Sequence, residues 1–405
     1  MKKVLLLVIV FCLIATMLVF FGSLGGRDKI SALGSTEKSP NVINIGVYEP
    51  LTGDNARGGL TEALALRYAN HVTPTVDVGG VTYEIKLVEA DNASDVSGSA
   101  KAAQSLVSSK VCVVLGSYGA KATAAGLPEF EAAKLPTIGI SCSSQTATQS
   151  STAYFRMCST DDFQSGVMAN LAHGMGLKKA AVLTQTGDDY SKDAGKIFIK
   201  AFEKLDGEVV EASFQLGQQN FRSLASQLAA QDVDFVYMLS GASEAEYFLK
   251  QARAEGLTCP IFGPESWDSP LLLSDVSFDF RDVYIASGFN SGMDADPVAA
   301  EFSDRYSRWL NKDSERIKEN GGNDYCSTSA SAAYDAYMLV VDAIKTADSK
   351  DPQAITEAIR KISYKGISGD ISFSETGEAL KKQAFIKTID PNAQQFKVLQ
   401  TSIGS

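Results

Sequence analysis

The stretch LPTIGISCSSQTATQSSTAYFRMCSTDDFQ, Leu135 to Gln164, decides the fold. It reads as a short strand, a polar loop, a second short strand and the start of a helix. The first strand ends near Ile140. Ser141-Cys142-Ser143-Ser144 follows, dense in hydroxyls and backbone N–H groups. Tyr154-Phe155-Arg156 then leads to Asp161-Asp162, a suitable N-cap pair for a helix entered at Phe163. The stretch is expected to line a ligand cleft and to carry the chain from one domain into another.

Working outward, the same strand–helix rhythm extends both ways. Upstream, Val42 to Tyr48 reads as the first strand. A loop over 49–59 leads into a helix from about Leu60 to His71. Gly79-Gly80 marks a turn, and Tyr83 to Glu89 alternates as a strand. Val111 to Leu115 is a continuous apolar run, as expected where both faces of a sheet are covered. Downstream, strands are expected at 179–184, 209–214, 233–239, 260–263 and 283–287, with helices between them. Helices follow at 297–310, 329–347 and 355–362, and strands near 370–373, 384–389 and 396–401. Such alternation predicts an α/β fold with parallel sheets and helices on both faces. Ligands in such folds sit outside the carboxyl ends of strands. The loops of interest are therefore 49–59, 116–121, 141–146, 187–190, 240–243 and 264–268.

Composition narrows the function. A length of 405 residues allows two domains with cores. A net charge of −11 with two histidines argues against a nucleic-acid face and against a histidine-built metal site. Lys2-Lys3, the apolar run Val4 to Phe21 and the small residues Gly22 to Gly26 form an export signal. The run also reaches the length of a membrane span, so residues 1–26 are expected either to be cleaved or to stay as an anchor. Residues 27–40 read as a linker. Cys12 lies inside the apolar run, which argues against a lipoprotein cysteine. The remaining cysteines are widely spaced, without a C-x-x-C pair. Cys142 and Cys158 flank the loop quoted above, and either a disulfide or two buried thiols fits them.

Enzyme signatures fail on inspection. Gly53 to Leu60 has phosphate-loop spacing, but Gly59-Leu60 stands where lysine and serine or threonine are needed. Gly139-Ile140-Ser141-Cys142-Ser143 lacks the last glycine of a nucleophile elbow. His71 and His173 fall in helices away from strand ends, which leaves no base for a serine or cysteine nucleophile. The loops suit binding instead. Ser117, Ser141 and Ser143, with N–H groups at helix N-termini, can hold a carboxylate. Glu265 can hold an ammonium group, and Tyr190 and Trp267 can wall a pocket.

The motifs IGVYEPLTG (45–53), VVLGSYGAKAT (113–123), LPTIGISCSS (135–144), YFRMCSTDDFQ (154–164), the loop Gly187 to Tyr190, DFVYMLS (234–240) and IFGPESW (261–267) occur in the order and spacing of a known family. The chain resembles the periplasmic branched-chain amino acid binding proteins, type I solute-binding subunits of ABC importers. The resemblance implies two Rossmann-like domains, three hinge crossovers and an interdomain ligand cleft. The lobes would comprise 41–160 plus 288–384, and 161–287 plus 385–401. It further implies a carboxylate clamp at Ser141-Cys142-Ser143, an ammonium site at Glu265, a pocket tyrosine at Tyr190, and hinge residues Arg156 and Asp161, of which Asp161 faces the cleft. Ala120 stands where the family often has serine, so Ser117 or backbone groups would substitute. Arg57 replaces an aromatic and is expected to read a second polar group of the ligand. Ser240, Gly241 and Ala242 stand where another aromatic is expected, and the family's disulfide is absent.

These readings imply a monomeric, exported binding protein with an amino acid or similar small molecule as ligand, a membrane permease as partner, and no cofactor, metal or nucleic acid. It would work on the periplasmic or extracellular face of the cytoplasmic membrane. Alternatives are an anchored sensor domain, a ligand such as an amide, urea or aromatic acid, and a stand-alone enzyme.

Overall fold

Near-continuous apolar sequence makes Val42–Glu49 the central strand β1, buried on both faces. The computed structural model describes residues 41–143, 145–274, 279–292, 295–381, 383–390, 392–393 and 395–403. The signal or anchor expected at 1–26, and the linker at 27–40, lie outside the described residues. Around β1 the first sheet adds β2 (Thr75–Val78), β3 (Val81–Asp91), β4 (Val113–Leu115), β5 (Thr137–Gly139) and β6 (Tyr154–Arg156), in the order β2-β3-β1-β4-β5-β6. All neighbours run parallel except β2 and β3. Gly79 and Gly80, both at positive φ, join those two as a tight hairpin. Sequence reading finds the turn and misses β2, whose four residues are too short to show a period.

The second sheet holds β7 (Lys179–Thr186), β8 (Glu208–Gln215), β9 (Phe235–Leu239), β10 (Ile261–Gly263) and β11 (Val283–Ser287) in parallel. A small hairpin, β12 (Tyr364–Gly366) with β13 (Gly369–Ile371), intervenes in the chain. Then β14 (Gln383–Asp390) and β15 (Gln395–Ile403) close the second sheet antiparallel, giving β15-β14-β11-β10-β9-β7-β8. The chain therefore passes between sheets three times: after β6, after β11 and before β14. The last passage ends at Gln383, so Ala384 already belongs to the second sheet.

Each sheet carries apolar packing on both faces. The helices Ala56–Val72, Pro297–Leu310 and Thr328–Ala347 cover one face of the first sheet, and Val96–Ser108 packs on the other. The second sheet is packed by Asp161–Gly174 and Asp189–Glu203 on one face and by Arg222–Ala229 and Ala242–Ala252 on the other. No helix among the described residues is long and apolar enough to cross a membrane.

Several boundaries move, with consequences for the site. The helix expected from Leu60 begins at Ala56, so Arg57 is in its first turn and not on a loop. The helix after β6 begins at Asp161, and its N-cap is Thr160, whose hydroxyl accepts from Phe163 N at 3.2 Å. Asp161 is thus the first helical residue and its carboxyl is not needed as a cap. Tyr190 and Ala242 likewise lie in first helical turns. Gln145–Ser150, within the expected polar loop, forms a short helix.

Candidate functional site

The carboxyl ends of the parallel strands in the two sheets face each other, and the loops that leave them form a cleft. Each lobe sets its loop by packing an aromatic beneath a strand-end glycine. A Cβ on Gly139 would stand 1.8 Å from Tyr154 Oη, and one on Gly263 would stand 2.1 Å from the Trp267 ring. Only glycine lets either strand end lie that close to the ring.

Trp267 is therefore a core residue. It is fully buried in the second lobe and donates from Nε1 to Ser240 Oγ at 3.0 Å. The pocket-wall role expected for it does not hold, because Gly263 draws the indole inward. Cys142 is similarly buried, packed with Leu127, Ala147 and Tyr154, so its thiol does not line the cleft. No disulfide joins the five described cysteines, and Cys142 and Cys158 remain thiols. The Ser117 hydroxyl is fully buried as well. It accepts from Asn92 Nδ2 at 2.8 Å and is turned under its loop.

The first-lobe loops carry Ser141, Tyr118, Gly119 and Ala120 half-buried and Ser143 buried, with Gly119 as the N-cap of the helix Ala120–Ala132. Arg156, at the end of β6, has no exposed surface. Its guanidinium donates to the Ser143 carbonyl and to the Glu378 carboxylate, which also accepts from Thr148. Arg156 thus ties the serine loop to the third passage between lobes. The Ser143 hydroxyl faces the Asp161 carboxyl, which burial pushes up to about 7 against the pull of that hydroxyl and of Arg156.

From the second lobe comes Glu265, half-buried in the turn after β10. Its Oε2 accepts from Gln164 Nε2 at 3.0 Å, and Gln164 also donates to the Ser159 carbonyl at 3.2 Å. Its Oε1 lies against the backbone at Gly288. Ser159 and Gly288 stand on the first two passages and Ala384 lies just past the end of the third, so Glu265 sits where all three converge. Burial raises this carboxyl, with Lys381 as the main opposing charge. Tyr190 lies within electrostatic reach of Tyr118, Asp161 and Tyr237. At the mouth, Arg57 Nη1 is 4.0 Å from Glu246 Oε2 on the facing helix Ala242–Ala252.

Sequence reasoning misses three residues here. Tyr118, between the expected Ser117 and Ala120, has its ring against Gly58 and feels Glu62 and Glu244 from opposite lobes. An aromatic in a loop at a strand end is the signal that could have found it. Glu49 and Glu62 are fully buried behind the first-lobe loops. Among the described residues no group of histidine, cysteine or carboxylate side chains could hold a metal.

Two α/β lobes joined by three passages, with polar loops opposed across a cleft, define a two-lobed small-molecule binding protein. The chain belongs to the periplasmic binding protein family, whose model matches residues 42–394. The leucine-, isoleucine-, valine-, threonine- and alanine-binding protein of Pseudomonas aeruginosa is 25% identical over 357 residues, 86% of this chain and 90% of that protein. The leucine-binding protein LivK of Thermotoga maritima superposes with a TM-score of 0.79 at 27% identity, covering 89% of this chain and 99% of that one. LivJ of Streptococcus pneumoniae, a branched-chain amino acid transporter substrate-binding protein solved with isoleucine, gives 0.77 at 25% identity over 90% and 99%.

Proposed function

We propose that this chain is the extracytoplasmic solute-binding subunit of an ABC importer, and that its cleft takes an amino acid or an amino-acid-like molecule. The carrying observation is Glu265. It is a carboxylate at the convergence of the three passages, with a neutral amide as its hydrogen-bond donor. An ammonium group suits that carboxylate, and hydroxyls with helix N-terminal amides suit a carboxylate. Relatives that bind amino acids support the same assignment.

The mechanism is hinge closure. Open and closed arrangements interconvert about the three passages, and a ligand that touches both lobes only when they close shifts the population that way. The loaded, closed form would then dock on a membrane permease. On this reading the ligand-contacting groups are Ser141, Ser143, Tyr118, Tyr190, Glu265 and the amides at Gly119 and Ala120. Arg156 and Asp161 hold the hinge.

A thermal-shift screen against amino acids, amides, ureas and aromatic acids tests the assignment, since a ligand of the folded state alone raises apparent stability. One or more amino acids should raise the melting temperature. Hits among aromatic acids alone would replace the amino-acid reading.

Arg57 serves the mouth of the cleft. Its exposed guanidinium faces Glu246, which also takes Lys250 Nζ at 2.7 Å. Surface pairs are worth about 0.2–1 kcal/mol, so Arg57→Ala should weaken binding by no more than about fivefold. The order of preference among amino acids should not change. A reordering in competition titrations would instead place Arg57 on the ligand side chain.

A further inference from the structure

Glu49 ends β1, and Glu62 lies on the helix Ala56–Val72. Both are fully buried, and they face each other. Glu49 Oε2 accepts from Tyr118 N at 2.8 Å. Glu49 Oε1 and both oxygens of Glu62 receive no hydrogen bond of ordinary geometry from the described residues. Two buried carboxyls this close cannot both ionise. One proton between them satisfies an oxygen on each side, and a second is needed for the Glu62 oxygen that remains.

The pair lies directly behind the serine loop. The Ser141 hydroxyl faces Glu62, and Cys142 is within electrostatic reach of Glu49. The other groups around the pair come from every neighbouring element. They are Tyr48 on β1, Asn92 after β3, whose amide donates to the Glu49 carbonyl at 3.1 Å, and Ser117 and Tyr118 after β4. None of these groups is cationic.

We propose that Glu49 and Glu62 hold one proton between them behind Ser141, and that a ligand carboxylate on the serine loop binds together with a second proton taken up by the pair. This rests on the amino-acid reading of the cleft. Without the second proton, the pair leaves one buried negative charge behind the loop that must hold the carboxylate. With both protons in place the pair and the floor of the cleft are neutral, and the hydroxyls and amides act alone. Glu49 and Glu62 are positioning residues and touch no ligand atom. The second proton comes from water and returns there when the ligand leaves. Burial pushes Glu62 up to about 7, which places its exchange in the working range, and raises Glu49 well above the usual carboxylate range.

The signs separate this from other groups in the cleft. Ionisation of Glu62 opposes a carboxylate, so affinity falls as pH rises. Ionisation of Glu265 favours an ammonium group, so it drives affinity the other way. Asp161, also near 7, titrates beside Ser143 and requires its own control.

The test is isothermal titration of an amino acid identified in the screen, from about pH 6 to about pH 8, on wild-type protein, Glu62→Gln and Asp161→Asn. Wild-type affinity should fall, by up to roughly tenfold for each unit by which the carboxylate raises the pair. Titrations in buffers of different ionisation enthalpy should show proton uptake. Glu62→Gln should abolish the fall and the uptake, and Asp161→Asn should keep both. A flat wild-type profile, or a fall that persists in Glu62→Gln, overturns the proposal. Glu49→Gln serves the same purpose if Glu62→Gln does not fold. If no amino acid binds at any pH, the amino-acid reading fails, and the proton is judged on ligand-free protein. A carboxyl raised on folding keeps its proton longer in the folded chain. Wild-type stability should then fall relative to Glu62→Gln between about pH 4.5 and about pH 7, and parallel profiles overturn the shared proton.

Discussion

Replacing Glu265 by glutamine should weaken amino-acid binding by roughly thirtyfold or more, because truncating one side of a buried charge pair costs about 2–5 kcal/mol. The substitution is nearly isosteric. The carbonyl of the new amide can still accept from Gln164, so the hydrogen bond that fixes the turn survives. Stability of the ligand-free protein should hold or rise. Burial raises the Glu265 carboxyl, so the folded state keeps its proton longer than the unfolded chain, and ionisation at neutral pH is a cost that glutamine removes. The expected result is lost affinity with an unchanged or higher melting temperature. Binding within about threefold of wild type would remove Glu265 from the ammonium site, since a buried charge contact is worth more than that. A fall in both affinity and stability would mark Glu265 as a structural support of the hinge.

Much of this arrangement is legible in the sequence, and the parts that are not share a physical cause. Val42–Glu49 and Val113–Leu115 announce themselves as strands covered on both faces, because such strands cannot carry alternating polar residues. The loops after them follow from that. Glu265 stands out as a carboxylate with no helix to cap. Burial direction is harder to read. Trp267 looks like a pocket wall until the contact with Gly263 shows that it fills the space under its own strand. Ser117 looks like a ligand hydroxyl until Asn92 claims it. Both outcomes depend on which side of a loop a neighbour approaches, and a linear pattern does not record that. Glu62 has a better signal. The run Gly59 to Leu66 is almost wholly small or apolar, so a lone glutamate within it implies a buried carboxyl. Its partner Glu49 is separated by a loop, and only the fold brings the two together.

The most costly single change outside the cleft should be Lys387→Met. Lys387 lies at a break in register between β14 and β15, an irregularity of the kind that re-aims a side chain. Its ammonium is buried and meets Asp268 Oδ2 at 3.0 Å and Tyr325 Oη at 2.9 Å. Asp268 is in turn held by the Tyr325 hydroxyl at 2.6 Å and the Ser287 hydroxyl at 2.7 Å, and by Thr328. Ser287 ends β11 in the second lobe, and Thr328 begins the long helix of the first. The ion pair therefore sits where the second passage joins the lobes, three residues beyond Glu265. Removing the lysine leaves the carboxylate buried without its counter-charge, which costs about 3–5 kcal/mol. Denaturant unfolding should show a midpoint well below wild type with an unchanged slope. Adding Asp268→Asn should recover most of the loss, because the remaining hydroxyls suit a neutral amide and no buried charge is left over. If Lys387→Met alone cost under about 1 kcal/mol, water or a rearranged tyrosine would be serving the carboxylate and the pair would carry no such weight. If the double variant were as unstable as the single, the lysine would matter through its packing against Tyr325 and Phe396, which its ammonium overlies at 5.7 and 5.9 Å, and not through its charge.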